Sequence, residues 1–250
     1  MMLPNKSLRR RGFRSLIGLC VLCTVGLLAL YSCSSKQQVL LRSDGSGSVQ
    51  FRVTIGKILM NAANGLSQGG SGSASAGEFD IPKIKEVFSK NKALKLESLT
   101  SPSSGVLAGS FTFNDIGKLF HGSSNGQPSD IVTFTQTASG NLLKVHITRA
   151  NFAQIAELAG MTDNPMYLMF GPEQNAATSV DDLNQMMVYV LGESGPAALK
   201  SSAIDVQVNV DGKVISQTGG TLSGNTVHFH IPLVRLLLLA TPLDFSVAFS

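Results

Sequence analysis

Few side chains in this sequence could move a proton or hold a metal ion. Histidine is the usual general base near neutral pH, and the chain has four, His121, His146, His228 and His230. His228 and His230 stand two apart in a run that alternates as a strand, so both point to one face, which suits two metal ligands. A third ligand would have to come from elsewhere, Asp205 or Asp244 for instance, and no spacing fixes it. The pattern reads as polar residues on the open face of a sheet, with no metal. Asp181 and Asp182 could share acid and base roles. They follow Ser179 at the start of an apolar-periodic stretch, however, where acidic residues complement a helix dipole. No Gly-x-Ser-x-Gly elbow, His-Glu-x-x-His, Walker loop or complete dinucleotide fingerprint occurs, and Gly70-Ser71-Gly72 lies in a low-complexity tract with no strand before it. A hydrolase pairing one of the many serines with a histidine is the weakest reading. The sequence points to a non-enzyme without cofactor.

Cys33 has the most specific chemical setting. Lys6, Arg9, Arg10, Arg11 and Arg14 precede an apolar run over 16–30. A secretory signal needs such a basic end and about 7–15 apolar residues. The run ends in Leu30-Tyr31-Ser32-Cys33, which resembles a bacterial lipobox with Leu at −3 and Ser at −1; Tyr31 at −2 resembles the looser, spirochaete-type pattern. The resemblance implies that 1–32 is a lipoprotein signal peptide and that Cys33 becomes the mature N-terminus, carrying diacylglyceryl and acyl chains such as palmitate. Residues 16–31 fall short of the roughly 20 that span a bilayer, which argues against an uncleaved anchor. Cys20 and Cys23 each follow a leucine, too large for the −1 position. The expected place is therefore outside the cytoplasm, lipid-anchored to a bacterial membrane and facing the periplasm or the cell surface.

Charge changes meaning once the signal is set aside. Five of the 20 basic residues and none of the 16 acidic ones precede Cys33, so the remainder carries a net charge of −1. Such a body lacks the basic footprint that phosphate backbones require, which excludes nucleic acid as a partner. With Cys33 acylated, no thiol is left for a disulfide or a cysteine-based metal site. No Trp, few charges and abundant Gly, Ser, Thr, Val and Leu favour strands and turns.

The elements follow from periodicity. Residues 33–37 form a short tether with roughly 14 Å of slack, and 38–250 a single domain. Strands are expected over 38–42 and 48–55, joined by Ser43-Asp44-Gly45-Ser46-Gly47. A short helix over 58–66 and a flexible Gly/Ser loop over 67–77 follow. Asp80 and Pro82 open a helix with Ile81, Ile84, Val87 and Phe88 on one stripe. Strands over 94–99 and 106–113 precede a brief helix through Ile116 and Leu119. Strands over 131–137 and 142–148 precede a helix over Phe152, Ile155 and Leu158. Hairpin then helix, repeated, implies an α+β fold: an antiparallel β-sheet with short helices packed on one face. Residues 204–210 read as a strand, Asp211-Gly212 as a tight hairpin turn, 214–217 as the return, 219–225 as a loop and 226–231 as a further strand. Residues 233–240 form a core helix and 243–249 the closing strand.

Residues 161–175 read as an apolar loop between Pro165 and Gly171-Pro172, followed by a helix over 181–191. Thioethers adapt to irregular partners, so Met161, Met166, Tyr167, Met169 and Phe170 beside Met186 and Met187 are candidate ligand-binding residues, with ordinary core filling as the plainer alternative. A thioether copper site would need histidine or a repeated Met pattern beside Met166 and Met169, and neither is present.

The C-terminal run carries a resemblance. Gly212, Val214, Gly219, Gly224, Asn225, Val227 and Phe229 follow the order of a Gly-x-Val strand, a Gly turn, a Gly-Asn-x-Val strand and a closing aromatic. In this order, and in the Asp44-Gly45-Ser46-Gly47 opening, the chain resembles the LppM-like domain of bacterial lipoproteins. Asp211 stands where Pro often precedes the Gly, and Phe229 where Trp is usual. The resemblance implies an α+β lipoprotein domain, with binding of a lipid or envelope component suggested for one mycobacterial member, and offers no catalytic residues. The expected function is a membrane-anchored binding module for a lipid or other apolar envelope component; the alternative is a structural lipoprotein docking an envelope protein.

Overall fold

The computed structural model describes residues 34–56, 79, 81–90, 93–120, 130–158, 162 and 165–250. The signal segment, Cys33, Asp80, His121, Met161, the helix expected over 58–66 and the loop over 67–77 lie outside them. Period-two alternation of apolar and polar residues produces eleven strands in this set. Seven form one sheet in the order β3-β4-β2-β1-β7-β10-β9: β1 (Ser34–Leu41), β2 (Gly47–Thr54), β3 (Leu94–Ser103), β4 (Val106–Phe113), β7 (Ala203–Val210), β9 (Thr221–Ser223) and β10 (Thr226–Pro232). Four form a second sheet in the order β5-β6-β11-β8: β5 (Val132–Thr137), β6 (Gly140–Ile147), β8 (Val214–Thr218) and β11 (Leu243–Phe249). Every pairing is antiparallel except β1 with β7. The helices are short: α1 (Ile81–Lys90), α2 (Arg149–Leu158), α3 (Pro165–Phe170), α4 (Val180–Leu191), α5 (Gly195–Lys200) and α6 (Leu233–Leu238), with a 3₁₀ turn over Ile116–Phe120. The protein is α+β, as expected, with its strands divided between two sheets that share one apolar core.

Four local expectations give way to structure. Residues 34–37 are not a tether: they pair with β2 on one side and β7 on the other. Ser35 and Gln37 are buried there, and backbone buried on both sides must be hydrogen-bonded, so no slack remains after position 33. Asp211-Gly212 does not turn a hairpin. The chain crosses there from the first sheet to the second, where β8 pairs with β11. Gly212 permits the crossing, because a Cβ at that position would lie 1.6 Å from the Ser250 carbonyl oxygen. The stretch 219–225 is not all loop, since β9 forms a hairpin with β10; Gly224 supplies the left-handed residue of its turn at φ 60°. Finally, 165–170 is helix α3 rather than loop, with Pro165 at its first position, where a missing N–H costs nothing.

The β1–β2 turn is also a docking point. Asp44 accepts from the Ser46 N–H at 2.8 Å, Gly45 takes φ 82°, and the Phe134 ring of β5 lies where a Gly45 Cβ would be, 2.9 Å away. The Gly45 carbonyl accepts from the Ile116 N–H at 2.9 Å, and Gln136 Nε2 donates to the Ser43 carbonyl. The second sheet is thus seated on the turn that opens the first.

The C-terminal strand β11 lies inside its sheet, between β6 and β8, and its Phe249 is fully buried against Phe134 at 6.3 Å between ring centroids. Phe249→Ala is expected to destabilise the fold by about 3–5 kcal/mol. A denaturant titration measures this, and a loss under about 1 kcal/mol would show that the strand is not integral to the core.

Candidate functional site

Alternation turns one side chain in two of each strand toward the space between the sheets. The first sheet contributes Val39, Val206 and Phe229, and the second contributes Leu143, Phe245 and Val247. The sheets touch where Phe229 meets Phe245, edge to face, at 5.1 Å and 65°. These two rings also border a cavity of about 100 Å³, which Phe152 of α2 and Leu236 of α6 help to enclose. Seventeen of its 18 lining residues are apolar, the exception being Ser246. A buried water needs two to four polar partners, and this lining does not supply them. Leaving such a volume empty costs on the order of 2 kcal/mol, which an apolar occupant would recover.

The residues able to do acid-base or metal chemistry lie elsewhere. His230 Nδ1 stands 2.7 Å from Asp205 Oδ1 across the β10–β7 ladder, and His146 Nδ1 stands 2.5 Å from Asp244 Oδ1 across β6–β11. His228 and His230 do share a face, on the side of β10 opposite the buried Val227, Phe229 and Ile231. The two carboxylates considered as a third ligand serve different histidines on different sheets, and among the described residues no three metal-ligating side chains gather. Asp181 and Asp182 open α4. Ser179 caps the helix in a reciprocal box: the Asp182 N–H donates to Ser179 Oγ at 3.1 Å, and Asp182 Oδ2 accepts from the Ser179 N–H at 3.1 Å. The Ser179 hydroxyl adds a 2.7 Å contact.

The Met-rich candidates divide between core and surface. Phe170 and Met187 are fully buried, Met186 and Tyr167 pack against the core, and Met169 is 44% exposed; Met166 is a residue of α3. Tyr167, Met169, Phe170, Met186 and Met187 do not line the cavity. Tyr167 is stacked at 6.4 Å on Phe152, which does line it. Its hydroxyl faces both Glu173 carboxylate oxygens at 2.9 Å, and burial, reinforced by that hydrogen bond and charge, raises its pKa well above the ordinary phenol value. Buried Asn175 ties α3 to α6, donating to the carbonyls of Phe170 at 2.9 Å and Leu237 at 3.3 Å. These residues brace the helices over the core. The cavity walls were visible in the sequence only as inward-facing strand positions, because alternation marks burial and does not distinguish a filled interior from a lined void.

No family model matches the chain, and no curated protein matches it. Among solved structures, the chain is similar to the NMR structure of the Mycobacterium tuberculosis LppM folded domain, with a TM-score of 0.38 and 9% identity over 96% of this chain and 94% of that one. At that distance neither a ligand nor a residue's role carries over.

The capping box gives a pH prediction. Hydrogen bonds from the Ser179 hydroxyl, then from its backbone N–H, hold the Asp182 carboxyl below its ordinary 3.8. A carboxylate depressed in the folded state stabilises above its unfolded pKa and loses that contribution as pH falls through the folded value. Amide exchange in the first turn of α4, corrected for intrinsic rates, is expected to accelerate below about pH 4. Asp182→Ala should be fast at every pH; a wild-type profile without that acid limb would contradict the assignment.

Proposed function

We propose that this protein is a non-catalytic binding module for a lipid or other apolar envelope component, anchored to a bacterial membrane through acylated Cys33, that takes the end of an apolar chain, such as the terminal carbons of a lipid acyl group, into the cavity between its sheets. The observation that supports it is the almost wholly apolar cavity. Small-molecule sites combine apolar walls with a few polar groups, and this one has hydrocarbon walls at the junction of both sheets. The anchor fits the same reading. Since β1 begins at Ser34, a lipid on Cys33 would hold the folded body against the bilayer surface, and no helix among the described residues is long and apolar enough to cross a membrane.

A second reading has its own observation. Leu168, Met169, Val188 and Tyr189 are exposed on α3 and α4, Tyr189 at 90%. An apolar surface of this kind suits docking of another envelope protein.

Two experiments test the main reading. Val206→Phe, which puts an aromatic ring where an isopropyl group lines the cavity, should weaken binding of a fluorescent fatty acid at least tenfold while circular dichroism stays native; overpacking costs about 1–3 kcal/mol. Met169→Ser should leave binding unchanged. Affinity unaffected by Val206→Phe would remove the cavity as the site and leave the docking reading. Cys33→Ser should abolish metabolic incorporation of a labelled fatty acid, and labelling that persists in this variant would refute the anchor.

A further inference from the structure

The face of the seven-stranded sheet that carries Lys36, Gln38, Gln50 and Arg52 forms a polar groove of about 450 Å³. Its floor is made of small residues, Ala108, Gly109 and Ser110 of β4. Gly109 is kept free of a side chain by the Phe51 ring beneath, which a Cβ would meet at 2.7 Å. Above that floor, ladder register brings Arg52 of β2 and Lys36 of β1 directly opposite each other. Like charges in that position repel and destabilise a sheet. Neither has a carboxylate partner among the described residues: Asp205, next to Lys36 in the ladder, is turned to His230, and Glu97 is engaged by Lys95 at 3.0 Å. One register step along, Ser98, Ser110, Gln50 and Gln38 form a continuous row across four strands. Ser98 Oγ and Ser110 Oγ bond each other at 2.8 Å, Gln38 Nε2 donates to Gln207 Oε1 at 3.5 Å, and the Gln50 side chain makes no hydrogen bond among the described residues.

We propose that this groove is a second binding site, independent of the apolar cavity, for a phosphate ester of a polyol. A phosphate between Lys36 and Arg52 turns the repulsion of the pair into two charge-assisted contacts, with the guanidinium able to engage two oxygens at once. The Ser98–Ser110–Gln50–Gln38 row supplies donors and acceptors for the hydroxyls of the same molecule. The ester could be free in solution or the headgroup of a membrane lipid. Lys36 lies three residues beyond Cys33, about 10 Å along an extended strand, so the second source is within reach if the anchor proposed above is correct.

The full chain in maltoside micelles, labelled with ¹⁵N, is titrated with glycerol 3-phosphate and, separately, with phosphatidylglycerol doped into the micelles. The comparison proteins are Lys36→Gln/Arg52→Gln and a charge-matched control, Lys144→Gln/Lys213→Gln. Saturable shifts of the Lys36, Gln50, Arg52 and Ser110 amides, weakened at least tenfold in the first variant and retained in the control, are expected. A response to glycerol 3-phosphate supports the site with a soluble ester as ligand; a response to phosphatidylglycerol alone supports it with a lipid headgroup. No response to either probe, or equal losses in both variants, overturns it. Val206→Phe should leave these shifts unchanged, so the groove can fail without the cavity and the cavity without the groove.

Discussion

The double pairing of β1 is the constraint on which the rest of the molecule depends. The first described strand is the central one of seven, antiparallel to β2 and parallel to β7, with Ser34 opposite Thr54 on one side and Ala203 on the other. Its parallel partner arrives more than 160 residues later in the chain, and loop-closure entropy must be met before such a contact stabilises anything. The hairpins β1–β2, β3–β4 and β5–β6 and the helices α1 to α5 are held in the loop that this pairing closes, and β8 and β11, which follow β7, complete the second sheet around β6. Its N-terminus therefore cannot be released as a flexible leash without opening the large sheet.

One strand thereby joins two environments. Val39 faces inward and lines the apolar cavity, while Lys36 and Gln38 face outward into the polar groove. The period-two geometry of a strand makes this unavoidable. A chain held at a membrane by the residue before Ser34 would present a hydrocarbon pocket on one side of its first strand and a cationic, hydroxyl-lined surface on the other. These are the two chemistries of an amphiphile.

Local pattern carried most of the fold. The hairpins β1–β2, β3–β4 and β5–β6, the capped helix α4 and the buried helix α6 are all legible in alternation, turn residues and helix starts. What local pattern could not supply was partner choice. Asp211-Gly212 is as good a hairpin turn as any by composition. The strand it leads into, β8, pairs instead with β11, which brings Ser250 against Gly212. Likewise 34–37 reads as polar spacer, and its strand state depends on β7, far away in sequence. The Met-rich segment is distinctive by residue type, but α3 and α4 use Phe170 and Met187 to seal the core. Composition said apolar and adaptable, and topology made those side chains structural. The cavity belongs to valines, leucines and phenylalanines that look like any other core.

Each His–Asp pair is a cross-strand contact on an outer face, and the adjacent carboxylates cap a helix. The most direct test of the central claim is native mass spectrometry of the full chain purified from its own membrane in mild detergent. The account predicts a one-to-one adduct with the mass of an acyl-bearing molecule, released on activation of the ion and absent from Val206→Phe. A spectrum free of adduct in the wild type, or an adduct retained in full by that variant, would contradict it.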